Sequence, residues 1–308
     1  MVAPPMIDAR TDFRRYRLPD GRQLAWCERG DPGGSVVFAF HGLPGSRLQV
    51  HPDETIALAA GARVIHVDRP GFGFSDAMPT RRLGDWPNDI RSLADHLRIE
   101  RFAVAGVSGG GPFACACAAH LSDRVTRAAV ISGVGLPRSM LHSSMWAVRA
   151  GFQAAAAAPW LLVLPLGVGA LVGAHAPRFF LDCLLRHLPP CDREILRRPE
   201  VWAMLVRDVA EAFRNGHSPF LHDLQLEAQP WGIALERISC PIALWHGLLD
   251  TIVPASATEE LADLLPHASV RMFPAAAHFF VFEVWEDLLR WLLPAAGVSE
   301  VERHAPSK

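Results

Sequence analysis

Ser108 stands in a glycine-rich stretch, Gly106-Val107-Ser108-Gly109-Gly110, which follows an apolar run and precedes an alanine-rich one. This context is typical of a serine held on a sharp turn between a strand and a helix, with its hydroxyl presented to a substrate. Gly106 and Gly110 are small enough to let the strand and the helix approach closely. The alternative is a turn that only packs or cradles a phosphate, but the stretch lacks the Gly-Lys-Ser/Thr of a phosphate loop. The residues therefore favour a nucleophilic serine.

A serine hydroxyl becomes a strong nucleophile only when a base accepts its proton, so this interpretation requires a histidine and an acid further along the chain. Asp250 follows the apolar run 242–245 by a short loop, and His278 follows the run 270–273 at the expected opening of a helix. Taken singly, Asp250 fits a turn former and His278 fits a packed core histidine. Their order after Ser108 favours a triad of Ser108, His278 and Asp250.

Acyl transfer through a tetrahedral intermediate also needs hydrogen-bond donors for the developing oxyanion. The backbone amide of Gly109, directly after the nucleophile, is one predicted donor. The other is predicted in the loop 41–47, where Leu43 has a free amide and Pro44 has none. His41 is interpreted as a structural residue that holds this loop.

The elements that must position these residues follow from the hydrophobic pattern. Three β-like runs between residues 14 and 40 are separated by turn signals. Later strands are predicted at residues 63–67, 102–107, 126–131, 242–245 and 270–273. Apolar strands that alternate with helical stretches are typical of a mostly parallel sheet with helices on both faces.

After residue 132 this alternation stops, and about a hundred residues show helix-like segments without a convincing strand. We therefore expect an α/β fold whose core is interrupted by a helical cap insertion. The core is predicted in two parts, residues 1–134 and residues 238–308, and the cap is predicted at residues 135–237.

Residues 150–174 contain no charged side chain and are long enough to span a bilayer. Pro159 and Pro165 would break such a helix. A single span would also place the candidate serine on one side of the membrane and its histidine and acid on the other. We therefore predict kinked cap helices over an apolar acyl pocket, with membrane contact through the apolar cap as the alternative.

The composition limits the class of partner. Half of the 308 residues are hydrophobic, which predicts a large buried core, and 30 basic residues face 32 acidic ones. Without a cationic excess we expect a small-molecule substrate and no nucleic acid. The six cysteines lack metal-ligand spacing, so no metal is expected, and a serine activated by a histidine needs no other cofactor. Residues 1–15 lack the apolar run of a secretory signal, which favours a cytoplasmic location.

Taken together, these blocks resemble the α/β-hydrolase superfamily, and within it the branch with a His-Gly-x-Pro-Gly-Ser-Arg loop. The resemblance covers residues 41–47, 68–76, 106–112 and 246–254 as well as His278. It implies a hydrolase whose variable cap decides the substrate, and it makes Asp68 a structural residue of an Arg-Pro-Gly turn. Epoxide hydrolases and haloalkane dehalogenases of the superfamily carry an aspartate where Ser108 stands, which argues against those reactions.

We therefore expect hydrolysis of a small lipophilic ester, thioester or lactone through an acyl-Ser108 intermediate. Three alternatives stay open. An aminopeptidase similar to prolyl iminopeptidases would need cap carboxylates for a free amine, and Asp208, Glu211 and Glu227 are candidates. A carbon-carbon bond hydrolase would use the same triad. A non-catalytic ligand-binding homologue would keep the fold without turnover.

Overall fold

Every strand expected from the sequence is present in the structure, a computed structural model that describes residues 13–293. The strands are β1 (Arg14–Arg17), β2 (Gln23–Gly30), β3 (Ser35–Phe40), β4 (Ala62–Val67), β5 (Phe102–Val107), β6 (Val125–Ile131), β7 (Ile242–Gly247) and β8 (Ala268–Phe273). They form one sheet in the order β1-β2-β4-β3-β5-β6-β7-β8. Only the pairs β1–β2 and β2–β4 are antiparallel among these strands. The predicted mostly parallel sheet is confirmed.

Helices cover both faces of the sheet, which explains why its central strands are almost continuously apolar. One face packs under α1 (Thr55–Ala59) and α11 (Val281–Leu292). The other face packs under α2 (Trp86–His96), α3 (Gly111–His120) and α10 (Ala255–Ala262). In a parallel sheet the carboxyl ends of neighbouring strands meet at one edge, and the loops after β3, β5 and β7 meet there.

Six helices and no strand fill the chain between β6 and β7, as the sequence predicts. They are α4 (Trp146–Ala157), α5 (Val163–His175), α6 (Pro177–Leu185), α7 (Pro190–Leu196), α8 (Pro199–Ala212) and α9 (Ser218–Glu227). Proline stands in the first turn of each of α6 to α9, where its missing amide hydrogen costs no helical hydrogen bond. The cap boundaries at 134/135 and 237/238 stay a prediction.

The chain breaks between α4 and α5 at a 3₁₀ turn, Pro159–Leu162. Pro165 lies in the first turn of α5, where it is tolerated. Within the described part of the chain, no single helix is long and apolar enough to cross a bilayer. The stretches Pro159–His175 and Pro177–Leu185 reach that length only as a pair, and they meet at a bend of 116°.

Buried ion pairs attach the cap to the core beside the strand ends. Asp223 of α9 accepts a hydrogen bond from Arg69 Nε at 2.8 Å and another from Arg81, and all three side chains are buried. Arg47 pairs with Asp68 of the core at 2.8 Å and with Glu211 of α8 at 2.6 Å. These contacts fix α8 and α9 over the loops that follow β3 and β4.

Candidate active site

Ser108 begins the turn between β5 and α3, and its φ of 52° is a left-handed value that is costly for a residue with a Cβ. The turn is tight on both sides of the serine. A Cβ on Gly106 would stand 2.2 Å from the carbonyl oxygen of Gly110, and a Cβ on Gly110 would stand 2.2 Å from that of Phe40. Only glycine fits either position, so the tight turn at Ser108 depends on Gly106 and Gly110.

The structure brings the three predicted triad residues together. His278 Nε2 lies 3.0 Å from Ser108 Oγ, and His278 Nδ1 lies 2.7 Å from Asp250 Oδ2. The second carboxylate oxygen, Asp250 Oδ1, accepts hydrogen bonds from the amides of Ile252 at 2.8 Å and Val253 at 3.0 Å. With its Nδ1 hydrogen donated to Asp250, the ring leaves Nε2 as the acceptor for the serine proton.

Asp250 lies in the loop after β7, as expected, but His278 does not open a helix. It lies in a turn between β8 and α11, which begins three residues later at Val281. In such a turn the ring is free to reach across to Ser108, whereas the side chains of α11 pack on the sheet.

The charge balance around His278 favours its protonated form. Burial alone would lower the pKa of the imidazole, but the carboxylates of Asp250 and Asp192 outweigh it, and the pKa of His278 is raised above 6.5. An imidazolium formed when the serine proton is accepted is therefore stabilised.

Asp192, on α7 of the cap, is a contributor to the site that the sequence interpretation missed. Its carboxylate accepts hydrogen bonds from the backbone amides of His278 at 3.0 Å and Phe279 at 2.9 Å. Burial raises the pKa of Asp192, and the nearby His278 opposes that rise. An aspartate in the first turn of a helix is so common that the sequence carries no signal for this contact across 86 positions.

The two predicted oxyanion donors lie in adjoining loops. The amide nitrogen of Leu43 is 3.3 Å from the point where a Cβ on Gly109 would stand. A Cβ on Gly42 would touch the Cβ of Ser108 at 3.4 Å, so the loop after β3 rests directly against the serine. Leu43 and Gly109 therefore lie close together beside Ser108.

His41 holds this loop, as predicted. The amide of Arg69 donates to His41 Nε2 at 3.2 Å, and His41 Nδ1 lies 2.9 Å from the carbonyl oxygen of Gly42. Burial and the nearby Arg69 charge keep the pKa of His41 well below 6.5, so the ring is neutral and donates through Nδ1. The guanidinium of Arg69 also donates to the carbonyl oxygens of His41 and Gly42.

Asp68 has the structural position that the resemblance implies. Its carboxylate accepts hydrogen bonds from the amide of Arg47 at 2.7 Å and from the amide of Phe74 at 3.0 Å, besides its ion pair with the Arg47 side chain. Each of these contacts fixes the backbone of a loop, and Asp68 does not border the cavity beside Ser108.

That cavity is apolar, has a volume of about 250 Å³ and is also bordered by Leu43 and His278. Its walls come from the cap, from the ends of β3, β4 and β5 with the loop after β3, and from the turn that carries the histidine together with the start of α11. The cap supplies these apolar side chains: Met145, Val148, Phe180, Leu181, Leu184, Leu205 and Val209. A group that fills this space next to the serine has to be lipophilic.

The expectation that residues 150–174 line the acyl pocket is wrong. None of these residues, all of which the structure describes, borders the cavity, whose cap side is formed by Met145, by Val148 at the start of α4 and by α6 and α8. The reason lies in α5, whose inward face carries small side chains. Ala170 is buried there, and Gly173 lies close to the ring of Phe213.

The three cap carboxylates weighed for an amine-binding site have different surroundings. Asp208 borders the cavity, but its Oδ1 accepts hydrogen bonds from the amide and the hydroxyl of Ser46, both at 2.7 Å, and burial raises its pKa to about 7. Glu211 is paired with Arg47. Glu227 is buried against Gly109, and burial raises its pKa well above 4.5. No two of the three face the cavity together.

Residues 13–293 group no three histidine, cysteine, aspartate or glutamate side chains in a way that could hold a metal ion. All six cysteines are free thiols. Burial raises the pKa of Cys115 to about 12 and that of Cys240 to about 11, so both are protonated at neutral pH.

Residues 35–283 match a protein family described as alpha/beta hydrolase fold. The chain is 32% identical to the pimeloyl-[acyl-carrier protein] methyl ester esterase of Chromobacterium violaceum, over 73% of this chain and 80% of that esterase. It is 29% identical to the dihydrolipoyllysine-residue acetyltransferase component of the acetoin cleaving system of Pseudomonas putida, over 89% of this chain but only 66% of that protein.

Among solved structures, a hydrolase from Pseudomonas aeruginosa PA01 superposes with a TM-score of 0.69. The superposition covers 92% of this chain and 99% of that one, at 19% sequence identity. At that identity the likeness concerns the fold alone.

Proposed function

The chain belongs to the α/β-hydrolase fold family, and from this premise we propose that it is a serine hydrolase that cleaves a small lipophilic ester, thioester or lactone through an acyl-serine intermediate. The observation that carries the proposal is the hydrogen-bonded series Ser108, His278 and Asp250 beside an apolar cavity. Such a series activates a serine hydroxyl, and such a cavity accepts an acyl chain.

In the acylation step, Ser108 Oγ attacks the substrate carbonyl carbon while His278 Nε2 accepts the hydroxyl proton. The carbonyl oxygen becomes an oxyanion, for which the amides of Leu43 and Gly109 are the proposed donors. We assign these roles because residues 41–47 resemble the oxyanion loop of one branch of the α/β-hydrolase superfamily and because Gly109 directly follows the candidate nucleophile. His278 then passes its proton to the leaving oxygen or sulfur, and the bond to the acyl carbon breaks.

In the deacylation step, water takes the place of the leaving group, and His278 accepts its proton while the water oxygen attacks the acyl carbon. Collapse of the second tetrahedral intermediate returns the proton to Ser108 and releases a carboxylic acid. The carboxylate of Asp250, hydrogen-bonded to His278 Nδ1, stabilises the imidazolium in both steps. No redox step and no further co-reactant is needed.

Substrate selection is the most direct test of this proposal. A panel of p-nitrophenyl esters, lactones and aminoacyl-naphthylamides should show turnover of esters or lactones, with kcat/KM rising with acyl length until the cavity is filled. Leu184→Trp places a larger side chain in the part of the cavity wall that α6 forms. The cavity becomes narrower, and the preferred acyl chain should become shorter. Kinetics of the purified protein over the ester series measures both effects.

The matched control for that panel is Leu164→Trp, which adds the same ring to an exposed position of the neighbouring helix and should leave the preference unchanged. Turnover confined to aminoacyl-naphthylamides would replace the esterase proposal by the aminopeptidase. Reaction with an active-site phosphonate without release of any acyl product would favour the non-catalytic homologue.

The acid limb of the pH profile should report the histidine. Since a protonated His278 cannot accept the serine proton, kcat/KM is expected to fall as the pH drops through the pKa of His278, which lies above 6.5. Asp250→Asn removes the carboxylate charge that raises this pKa, so the limb should move to lower pH while the plateau falls. The measurement is the pH dependence of kcat/KM of both proteins with a slowly reacting ester. An acid limb at the same pH in the variant and the wild type contradicts the assignment of Asp250.

A further inference from the structure

The outer side of the cap carries large apolar side chains that no part of the described chain covers. On α5, Leu164, Val168 and Leu171 recur at helical spacing and are 76%, 56% and 63% exposed. The buried face of the same helix carries the small residues Ala170 and Gly173. A surface helix of a globular protein normally has the opposite arrangement, with its large apolar residues inward.

Aromatic side chains continue this surface on the neighbouring elements. Trp160 lies in the turn that precedes α5 and Trp146 begins α4, and they are 71% and 73% exposed. Phe179, near the start of α6, is also exposed. We call these six side chains the outer cap face: Trp146, Trp160, Leu164, Val168, Leu171 and Phe179. The four elements that carry them contact one another in sequence, whereas a single exposed apolar residue elsewhere is ordinary.

The charged residues that flank the outer cap face along the chain are predominantly positive. Residues 150–177 contain no Asp, Glu, Lys or Arg, and the nearest charged residues on either side are Arg149 and Arg178. Residues 138–187 carry four arginines and one aspartate, whereas the whole chain has a net charge of −2. An apolar face flanked by cationic residues is complementary to an anionic lipid bilayer, which has an apolar interior and negatively charged head groups.

The side chains of the outer cap face differ from those of a typical protein interface. Such interfaces make about one hydrogen bond per 100–200 Å². Along α5 the outward side chains offer neither donor nor acceptor between Val163 and Leu171, and the helix satisfies its own backbone groups. Trp160 stands in the turn before α5, and a tryptophan beside an apolar helix is typical of segments that lie at a lipid-water boundary.

We propose that the outer cap face docks on a lipid bilayer containing anionic lipids, with α5 lying in the interface and the exposed Arg178 directed at the head groups. This inference goes beyond the proposed hydrolysis and does not depend on it. The outer cap face shares α4 and α6 with the cavity wall, since Val148 and Phe180 border the cavity while Trp146 and Phe179 point outward. Docking there would bring the cavity wall next to the lipid from which a lipophilic substrate partitions.

Co-sedimentation with vesicles tests the proposal on the full-length protein. Vesicles of phosphatidylcholine mixed with phosphatidylglycerol should bind the wild type more strongly than vesicles of phosphatidylcholine alone. The double variant Leu164→Glu, Val168→Glu should lower the partition coefficient about tenfold or more, because it places two charges at the apolar contact. Arg178→Gln should lower binding to the mixed vesicles about fivefold and leave binding to phosphatidylcholine unchanged.

Two matched variants separate docking from fold and from activity. Leu58→Glu introduces a single glutamate at an exposed leucine of α1 and should bind vesicles as the wild type does. Ser108→Ala should also bind normally, so failure of the proposed hydrolysis leaves the docking result intact. The double variant should still hydrolyse a small soluble ester at the wild-type rate, which shows that it is folded.

Quenching by lipids with brominated acyl chains gives a reading that needs no charged variant. Wild-type tryptophan emission should be quenched on binding, and Trp160→Phe should lose part of that quenching. Absence of wild-type binding to either vesicle overturns the proposal, as does an equal loss of binding in Leu58→Glu. If sedimentation equilibrium instead shows a dimer that the double variant dissociates, a second copy of the chain covers this face and the lipid proposal is wrong.

Discussion

Ser108→Ala is expected to lower kcat by about 10³-fold or more, because the acyl-enzyme cannot form without the hydroxyl. His278→Ala should lower kcat to a similar extent, and combining the two changes should cost little more than either one, since the two groups act in one proton transfer. The remaining rate would come from the oxyanion donors and the cavity, which both variants keep. Steady-state hydrolysis of the best ester found in the panel measures the loss.

Ser132→Ala is the matched control for this experiment. Ser132 is a buried serine directly after β6, the strand beside β5, and it shares the positive φ of Ser108. It makes no contact with His278 or Asp250 among the hydrogen bonds of the described residues, so its removal should leave kcat near the wild-type value. A phosphonate probe should label the wild type and Ser132→Ala but not Ser108→Ala. Near wild-type turnover in a folded Ser108→Ala protein would show that Ser108 is not the nucleophile.

The sheet could be predicted because its signal is local. Buried parallel strands are continuously apolar, and turn residues mark their ends. The runs at 102–107 and 242–245 therefore predict both the strands and the loops that follow them. The candidate triad follows from the same logic. Ser108 comes directly after β5 and Asp250 lies in the loop after β7, and parallel strands bring such loops to one edge of the sheet.

The contacts between cap and core could not be predicted, because each joins residues far apart in the chain. Asp192 reaches the amide of His278 over 86 positions, and Asp223 reaches Arg69 over 154. On its own each aspartate looks like an ordinary polar residue of a helix. Only the packing of the cap gives them a partner.

The orientation of the charge-free segment could not be predicted for a different physical reason. A helix that is apolar on every side has no polar face to indicate which side turns inward. In α5 the small residues settle the matter, because Ala170 and Gly173 permit close packing on Phe213 while the larger Leu164 does not. The pattern thus predicted the helices but not the direction of their side chains, and α5 does not border the cavity, whereas α6 and α8 do.

The second large effect is expected from Asp223→Ala, which should lower the free energy of unfolding by about 3–5 kcal/mol. Asp223 is the shared partner of Arg69 and Arg81, and all three side chains are excluded from water. Removing the carboxylate leaves two buried guanidinium groups with less compensation, which costs far more than the loss of a surface ion pair. Urea unfolding of the variant and the wild type measures the difference.

Asp123→Ala is the control for this prediction, since Asp123 pairs with Arg91 at 3.2 Å on the exposed surface and its removal should change stability little. Asp223→Ala should also lower kcat in the protein that remains folded. Arg69 donates to the carbonyl oxygens of His41 and Gly42, so a guanidinium released from Asp223 disturbs the loop that presents the amide of Leu43. Equal losses of stability in the two variants would show that the buried pair does not hold the cap to the core. A large loss of stability in Asp223→Ala with unchanged kcat would show that the position of the oxyanion loop does not depend on the contact between cap and core.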